Sequence, residues 1–300
     1  MAVKIPFVRD MTFEYGVPQQ VSPLIRRVVA NNPGPFTFRG TGVYIIGQGD
    51  VAMIDPGPDD ATHIEALTRM LAGERVSHIF VTHRHLDHSP AARPLAAATG
   101  AKIYASGIAP RFSADDFVAE AGDDLGFKPD VIVRDGDVFR GPGWTLEAVF
   151  TPGHTSDHMC LALREENAFF SGDHIMGWST TVVSPPDGDM DAYLASLGKV
   201  QARNVATLWP THGPPVTEVS AFIDAYRAHR MDREAQIIAR LQAGQTRIND
   251  MVPVMYADVD PRLYPAAAHS VLAHMIRLVK IGRVRCDGAP SLGGSYALAD

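Results

Sequence analysis

Cysteine is nearly missing. Cys160 and Cys286 are the only two in 300 residues, too few and too far apart for a disulfide framework, and neither belongs to a CxxC zinc knuckle. Inside "HMCLAL", Cys160 reads as a small core residue rather than a nucleophile. No apolar run approaches the ~20 residues that span a bilayer, and no apolar stretch follows a basic start. The expectation is a cytoplasmic protein without membrane attachment. Excess positive charge is lacking too: 27 Lys and Arg stand against 34 Asp and Glu, a formal charge of −7. That argues against a broad electrostatic grip on nucleic acid and leaves open only a local basic groove. A hydrophobic share of 46% over this length suffices for a sizeable core, in one large domain or one large and one small.

What is abundant is histidine in one place. "IFVTHRHLDHSPAA", residues 79 to 92, ends a β-branched run and then sets His83, His85, Asp87 and His88 on a short loop, with Leu86 the only apolar residue between them. A strand at 78 to 82 gives that loop a rigid support. The same grammar recurs downstream: "LEAVFTPGHTSDH" delivers His154, "AFFSGDH" delivers Asp173 and "ATLWPTHGPPV" delivers His212, each at the end of an apolar run. Imidazole and carboxylate are ligands of first-row metals. If strand geometry persists, residues 83 and 85 face the same way and both reach one ion, which His154 completes as a three-histidine site with a position open to water. Asp87, His88 and His212 hold a second ion, and Asp173 can bridge the two. Such a pair activates a bridging water to hydroxide near neutral pH and polarises a carbonyl or phosphoryl oxygen. Leaving-group protonation has no clear owner beyond a metal-bound aspartate, Asp87, or a water.

Other residues leave alternatives open. His158 can stand behind the ligands, act as an acid or base, or lie on the surface. Trp178, Ser179 and Thr180, in the loop-like stretch 176 to 189, are either substrate contacts or ordinary packing. His174 follows Asp173 directly and is left out of the ligand set. His78, His229, His269 and His274 lack the strand-end setting and read as structural or surface residues.

Along the chain, short β-type runs alternate with helical stretches to about residue 216. Strands are expected around the turn at Gly47 to Asp50 and at 131–133, 146–150, 159–163, 168–171 and 207–209, with helices at 61–71 and 91–98. Interleaving favours an α/β sandwich over an all-β barrel. From 217 to 300 the texture is helical: a long helix with a charged Arg and Glu surface stopping at Gly244, a helix capped by Thr246, another ending at Gly282, then a small hairpin. Three helices and a hairpin suggest a winged-helix-like unit over 217–300 beside a catalytic domain over 1–216. Ten Lys and Arg against nine Asp and Glu in that unit favour packing or a homodimer over nucleic-acid binding.

The motif Thr82-His83-Arg84-His85-Leu86-Asp87-His88, followed in order by "TPGHT", "SGD" and "THG", resembles the signature of the metallo-β-lactamase fold superfamily. The resemblance implies an αββα sandwich with metals in a cleft at one edge of the sheets. It also implies a site role for Asp55, which otherwise reads as a turn aspartate before Pro56-Gly57: orienting a histidine ligand or the metal water. "VSPLIRRVVANNPGPFTFRGTGVYIIG" and "HRMDREAQIIARLQAGQTRINDMV" resemble the β-lactamase-like protein 2 branch, whose members carry a C-terminal winged helix. Activities implied by that branch and its fungal relatives are single-strand endoribonuclease and acyl carrier protein thioesterase. His88-Ser89-Pro90-Ala91 departs from the His-x-Gly-Gly of glyoxalase II, and no long insertion of the large RNA-processing nucleases separates Asp173 from His212. The leading reading is a hydrolase with two Zn2+ per chain, Mn2+ or Fe being alternatives, that cleaves an ester, thioester, amide or similar bond in a small-molecule or acyl substrate. The alternative is a metal-dependent endoribonuclease acting on single-stranded RNA. A scaffold with purely structural metal fits poorly, because seven ligands for two ions leave room for water, and a flavodiiron centre would want a carboxylate where His85 stands.

Overall fold

Runs of β-branched and aromatic residues punctuated by glycine build two large sheets in the computed structural model of the chain, which describes residues 4–111 and 122–299. The first sheet takes its strands in sequence order: β1 (Gln19–Gln20), β2 (Ile25–Val29), β3 (Gly42–Ile46), β4 (Asp50–Ile54), β5 (Arg75–Phe80), β6 (Lys102–Ala105) and β7 (Val131–Ile132). Its first four strands run antiparallel, and β4 to β7 run parallel, with α1 (Ala61–Met70) and α2 (Ala92–Thr99) making two of the crossovers. Asp60 caps α1 by accepting from the His63 N–H. The second sheet holds β8 (Val138–Gly141), β9 (Trp144–Phe150), β10 (Met159–Leu163), β11 (Ala168–Gly172) and β12 (Thr207–Pro210), in the order β12-β11-β10-β9-β8. Between β11 and β12 lies α3 (Met190–Gln201), capped by Asp189.

Four layers follow from where the apolar side chains point. Ile25, Tyr44, Ile54 and Phe80 of the first sheet meet Trp144, Leu161, Phe170 and Trp209 of the second in a buried interior. The outer face of the first sheet packs on α1 and α2 through Leu67, Leu71 and Leu95, and that of the second on α3 through Tyr193, Leu197 and Val200. This is the expected αββα sandwich. Trp144 is its keystone at one edge: 1% exposed, it donates from Nε1 to the Asp50 carbonyl at 3.1 Å. A Cβ on Gly141 would lie 2.2 Å from its ring, which is why glycine stands there. Truncation by Trp144→Ala is expected to cost about 3–5 kcal/mol of unfolding free energy, read from urea denaturation.

The C-terminal part comprises α4 (Val219–Gln242), α5 (Ile248–Met255), α6 (Tyr264–Lys280) and the hairpin β13 (Val284–Cys286) and β14 (Tyr296–Leu298). Helix α4 serves two cores. Phe222, Ile223 and Tyr226 complete the outer layer of the second sheet, while Ile237 and Leu241 pack with α5, α6 and the hairpin. The expected charged surface of α4 is partly wrong, since Arg230 and Glu234 are 3% and 4% exposed. Glu234 accepts from Arg277 at 2.8 Å and faces His274, and Arg277 reaches on to Asp191 of α3 at 2.8 Å. Burial of Glu234 is compensated by Arg277, which itself crosses to α3, while Arg230 donates to the Thr181 carbonyl. The start of α5 also differs from expectation: its N-cap is Arg247, with no side-chain cap from Thr246.

Candidate metal centre

The supporting strand β5 stops at Phe80, so the loop from Val81 onward is not extended. Alternation therefore does not place His83 and His85, whose chain bends at Thr82 and His83; just beyond them a turn, closed by the His88 and Ser89 N–H groups on the His85 carbonyl at 3.0 and 3.1 Å, folds Asp87 and His88 back. The result still converges. Nε2 of His83 and Nδ1 of His85 are 2.9 Å apart. His154 arrives from the loop after β9, Asp173 from the end of β11 and His212 from the end of β12. Three groups of side chains that could hold an ion follow: His83, His85 and His154; His83, His88 and Asp173; Asp87, His88 and His212. The middle group shares a member with each of the others, so the whole is one continuous cluster. All seven residues are at most 7% exposed.

Hydrogen bonds behind the cluster decide which nitrogen each imidazole presents. A carboxylate only accepts, so His88 Nδ1 carries a proton and donates to Asp55 Oδ2 at 2.9 Å. The Thr82 hydroxyl donates to the same oxygen at 2.8 Å, which leaves its own oxygen to accept from His83 Nδ1 at 3.0 Å. His154 Nδ1 donates to the Val182 carbonyl at 2.7 Å and His212 Nδ1 to the Gly40 carbonyl at 3.2 Å. In the neutral ring, Nε2 of His83, His88, His154 and His212 is thereby the nitrogen whose lone pair turns to the centre, the arrangement an ion requires.

Two further observations fit a pair of cations. His88 Nε2, His212 Nε2 and Asp173 Oδ1 are buried and make no hydrogen bond, although Asp87 Oδ2 lies 3.0 Å from His212 Nε2 and 3.5 Å from His88 Nε2. Those groups point past one another at a shared space. Charge is also divided. Burial, helped by neighbouring imidazoles, pushes the pKa of His83 well below the ordinary value and that of His85 to about 3, and burial lowers His154 as well. Burial opposes charge on His88 and His212 too, but the carboxylates of Asp87 and Asp173 overcome it and raise both. Conversely, His88 and His212 hold Asp87 and Asp173 below the usual carboxylate range despite their burial. Positive charge is what the two carboxylates demand, and protons on His88 and His212 must leave to admit an ion.

Asp55 is fully buried at φ +49° and takes bonds from the Thr82 N–H, the Thr82 and Thr211 hydroxyls and His88. It touches the ring of a ligand-type histidine and does not itself face the cluster. His158 is committed at both nitrogens: Nε2 accepts the Asp173 N–H at 3.2 Å, so Nδ1 donates to Thr151 Oγ1 at 2.8 Å. Of its three open readings, the geometry supports the one behind the ligands. Gly172 permits this approach, because a Cβ there would fall 2.6 Å from His158 Nε2. Trp178, Ser179 and Thr180 border a cleft beside the C-terminal helices, and Trp178 stacks on Phe38 at 4.9 Å. His174, outside all three groups, packs its ring on Tyr193 at 5.0 Å.

Several supporting residues were not foreseen. Thr82 and Thr211 each precede a ligand-type histidine, and that repeated Thr-His pair was the available signal. Arg84 pairs with buried Asp157 at 3.0 Å beneath the loop. Asp123, 3.9 Å from His85 Nε2, is pushed up to about 7 by burial and by the charges of Asp157 and Asp187. Nothing in the sequence around it marked Asp123.

Comparison with known proteins agrees with this architecture. The model of the metallo-beta-lactamase superfamily matches residues 37–212, and that of the beta-lactamase associated winged helix domain matches residues 248–292. A beta-lactamase-like protein 2 homolog of Caenorhabditis elegans is 33% identical over 89% of this chain and 88% of its own. An atrochrysone carboxyl ACP thioesterase of Paecilomyces divaricatus is 34% identical over 74% of this chain and 66% of its own. Among solved structures, a beta-lactamase domain protein from Burkholderia ambifaria superposes with a TM-score of 0.79 over 98% of each chain at 21% identity, a likeness of fold. Sandwich, ordered ligand-type motifs and accessory helices together place the chain in the metallo-β-lactamase superfamily, in a form that carries the associated winged-helix domain.

Proposed function

We propose that the chain is a dinuclear-metal hydrolase of acyl thioesters, with His83, His85 and His154 holding one ion, Asp87, His88 and His212 the other, and Asp173 between them. The observation that carries this reading is the convergence of seven buried donors into three overlapping groups, with four imidazoles whose neutral tautomer faces the centre. Two divalent ions bound there supply a water whose pKa falls from 15.7 to about 7 and a Lewis acid for the acyl oxygen. Water adds to the acyl carbon, the C–S bond breaks, and the proton of the attacking water ends on the released thiol. A thiolate, with a pKa near ~8.5, leaves without a strong acid to protonate it. That suits a centre in which the Nδ1 protons of His88, His154, His158 and His212 are all committed to acceptors behind the cluster. The thioesterase relative adds support for the substrate class.

Zinc is the proposed metal, with manganese and iron as the ions to test beside it. The domain division at 216/217 and a cytoplasmic location belong to the same proposal; no described helix is long and apolar enough to cross a membrane. Metal analysis of purified protein is expected to find close to two ions per chain. Prolonged chelation is expected to remove them together with butyryl-thioester hydrolysis and to lower the melting temperature, since ions bound only by the folded state stabilise it by mass action. Metal-dependent cutting of single-stranded RNA without thioester turnover would move the assignment to the endoribonuclease alternative.

A further inference from the structure

A cleft of about 620 Å³ opens where the loop at 176–182 meets α4, the turn before α6 and the segment Lys4 to Arg9. Its lining is one-sided in charge. Lys4, Arg9, Arg230 and Arg233 contribute to the walls, and no Asp or Glu does among the described residues, although the chain as a whole carries −7. Phe7, Phe36, Trp178 and Tyr256 line the cleft as well. Arg233 lies over the Tyr256 ring at 4.2 Å and Arg9 over Phe7 at 5.6 Å. Three buried donors on lining residues, Arg230 Nε, Arg233 Nε and Trp178 Nε1, make no hydrogen bond. Arg230 is 3% exposed, so an unmet donor on it is costly unless a ligand supplies the acceptor.

One loop both lines this cleft and supports the metal-type cluster. Thr181 and Val182 line the cleft, and the Val182 carbonyl holds His154. Trp178 packs on Gly213, next to His212, where a Cβ would lie 3.1 Å from the indole. From the other side, Tyr226 Oη lies 2.5 Å from the loop carbonyl oxygens of Met176 and Ser179, donating its one proton to either, and Arg230 donates to that of Thr181, so helix α4 fixes the wall. The size suits a small ligand, and aromatic walls with arginines suit an apolar body bearing phosphate.

We propose that the cleft receives the phosphate-bearing arm of the substrate, a phosphopantetheinyl group: the thioester carbon lies at the metal-type cluster and the phosphate among Arg9, Arg233 and Lys4. The proposal rests on the thioesterase reading for the name of the arm, but not for the existence of an anion site. The arm can belong to coenzyme A or to a carrier protein.

The test begins with full-length chelated protein and n-octyl phosphate, titrated by tryptophan fluorescence against n-octanol. Octyl phosphate is expected to bind at least about tenfold more tightly than octanol. The double variant Arg9→Gln/Arg233→Gln is expected to lose about tenfold in affinity for the phosphate and nothing for octanol. Since Arg233 also donates to the Met255 carbonyl at 2.7 Å, Lys4→Gln/Arg9→Gln, on exposed residues, gives a second reading should the first variant unfold. Equal affinity for the two probes, or unchanged affinity in a folded variant, overturns the proposal. So does displacement of octyl phosphate by a single-stranded oligoribonucleotide at lower concentration than by 4′-phosphopantetheine. With loaded enzyme, butyryl-coenzyme A, a butyryl carrier protein and butyryl-pantetheine without phosphate are compared. A KM at least about tenfold lower for a phosphate-bearing substrate supports the arm, and whichever of the two gains identifies its source. Charge-dependent probe binding without thioester turnover would sink the thioesterase reading and leave the anion site standing; turnover without charge-dependent binding would do the reverse.

Discussion

Asp87→Ala is expected to lower kcat/KM for a thioester by about 10³-fold or more, a loss of roughly 4 kcal/mol in transition-state stabilisation. Its carboxylate stands 3.0 Å from His212 Nε2 and 3.5 Å from His88 Nε2, and it is one of the two acids whose negative charge raises the pKa of those imidazoles and draws positive charge to the centre. Alanine leaves two histidines facing a gap with one carboxylate, Asp173, to share. Metal content is expected to fall from about two ions per chain to about one, because His83, His85 and His154 do not use Asp87. Both readouts are needed. A variant that retains two ions and works within tenfold of the wild type would show that Asp87 is not a ligand, whatever its place in the cluster. Unfolding curves in the same buffer separate this loss from a simple failure to fold, since the loop's backbone bonds from His88 and Ser89 to the His85 carbonyl do not involve the Asp87 side chain.

The ligand-type residues were legible because each set lies just past an apolar run, with His154, Asp173 and His212 also beside a glycine. Strands end where the apolar run ends, and two sheets packed face to face bring those ends to one edge. His83, His85, Asp87, His88, His154, Asp173 and His212 all meet. What the pattern could not supply was local backbone geometry. Strand alternation predicts the pairing of His83 with His85, yet β5 ends three residues before His83 and the chain bends at Thr82 and His83. Helix α3 escaped notice because its apolar face is short and Gly198 interrupts it; burial of Tyr193, Leu197 and Val200 against the second sheet stabilises it instead. On α4 a surface of Arg and Glu was a fair reading of composition, and tertiary pairing with Arg277 and with the Thr181 carbonyl overrode it. Asp123, Asp157 and Arg84 are of the same kind: long-range ionic partners have no signature in a single sequence.

Asp55→Asn changes no volume and is nonetheless expected to cost about 10- to 100-fold in kcat/KM, with a matching loss of metal affinity. The carboxylate accepts four hydrogen bonds, one at Oδ1 from the Thr82 N–H and three at Oδ2 from Thr82, Thr211 and His88. An amide offers one acceptor and one donor group. If its nitrogen replaces Oδ1, the Thr82 N–H meets another donor; if it replaces Oδ2, three donors do. His88 can relieve the second arrangement only by giving up its Nδ1 proton and accepting from the amide. The proton then sits on Nε2, the atom that faces Asp87 and Asp173, and the ring is no longer a ligand. The first arrangement leaves a buried backbone N–H unmet, at about 1–3 kcal/mol of stability. One of the two losses must occur, and metal titration beside thermal unfolding tells which: weakened binding with near-normal melting of the metal-free protein marks the flipped imidazole, and lowered melting with intact binding marks the orphaned N–H. An Asp55→Asn variant that melts, binds metal and turns over like the wild type would mean that Asp55 orients nothing, and that His88 takes its tautomer from the ion alone.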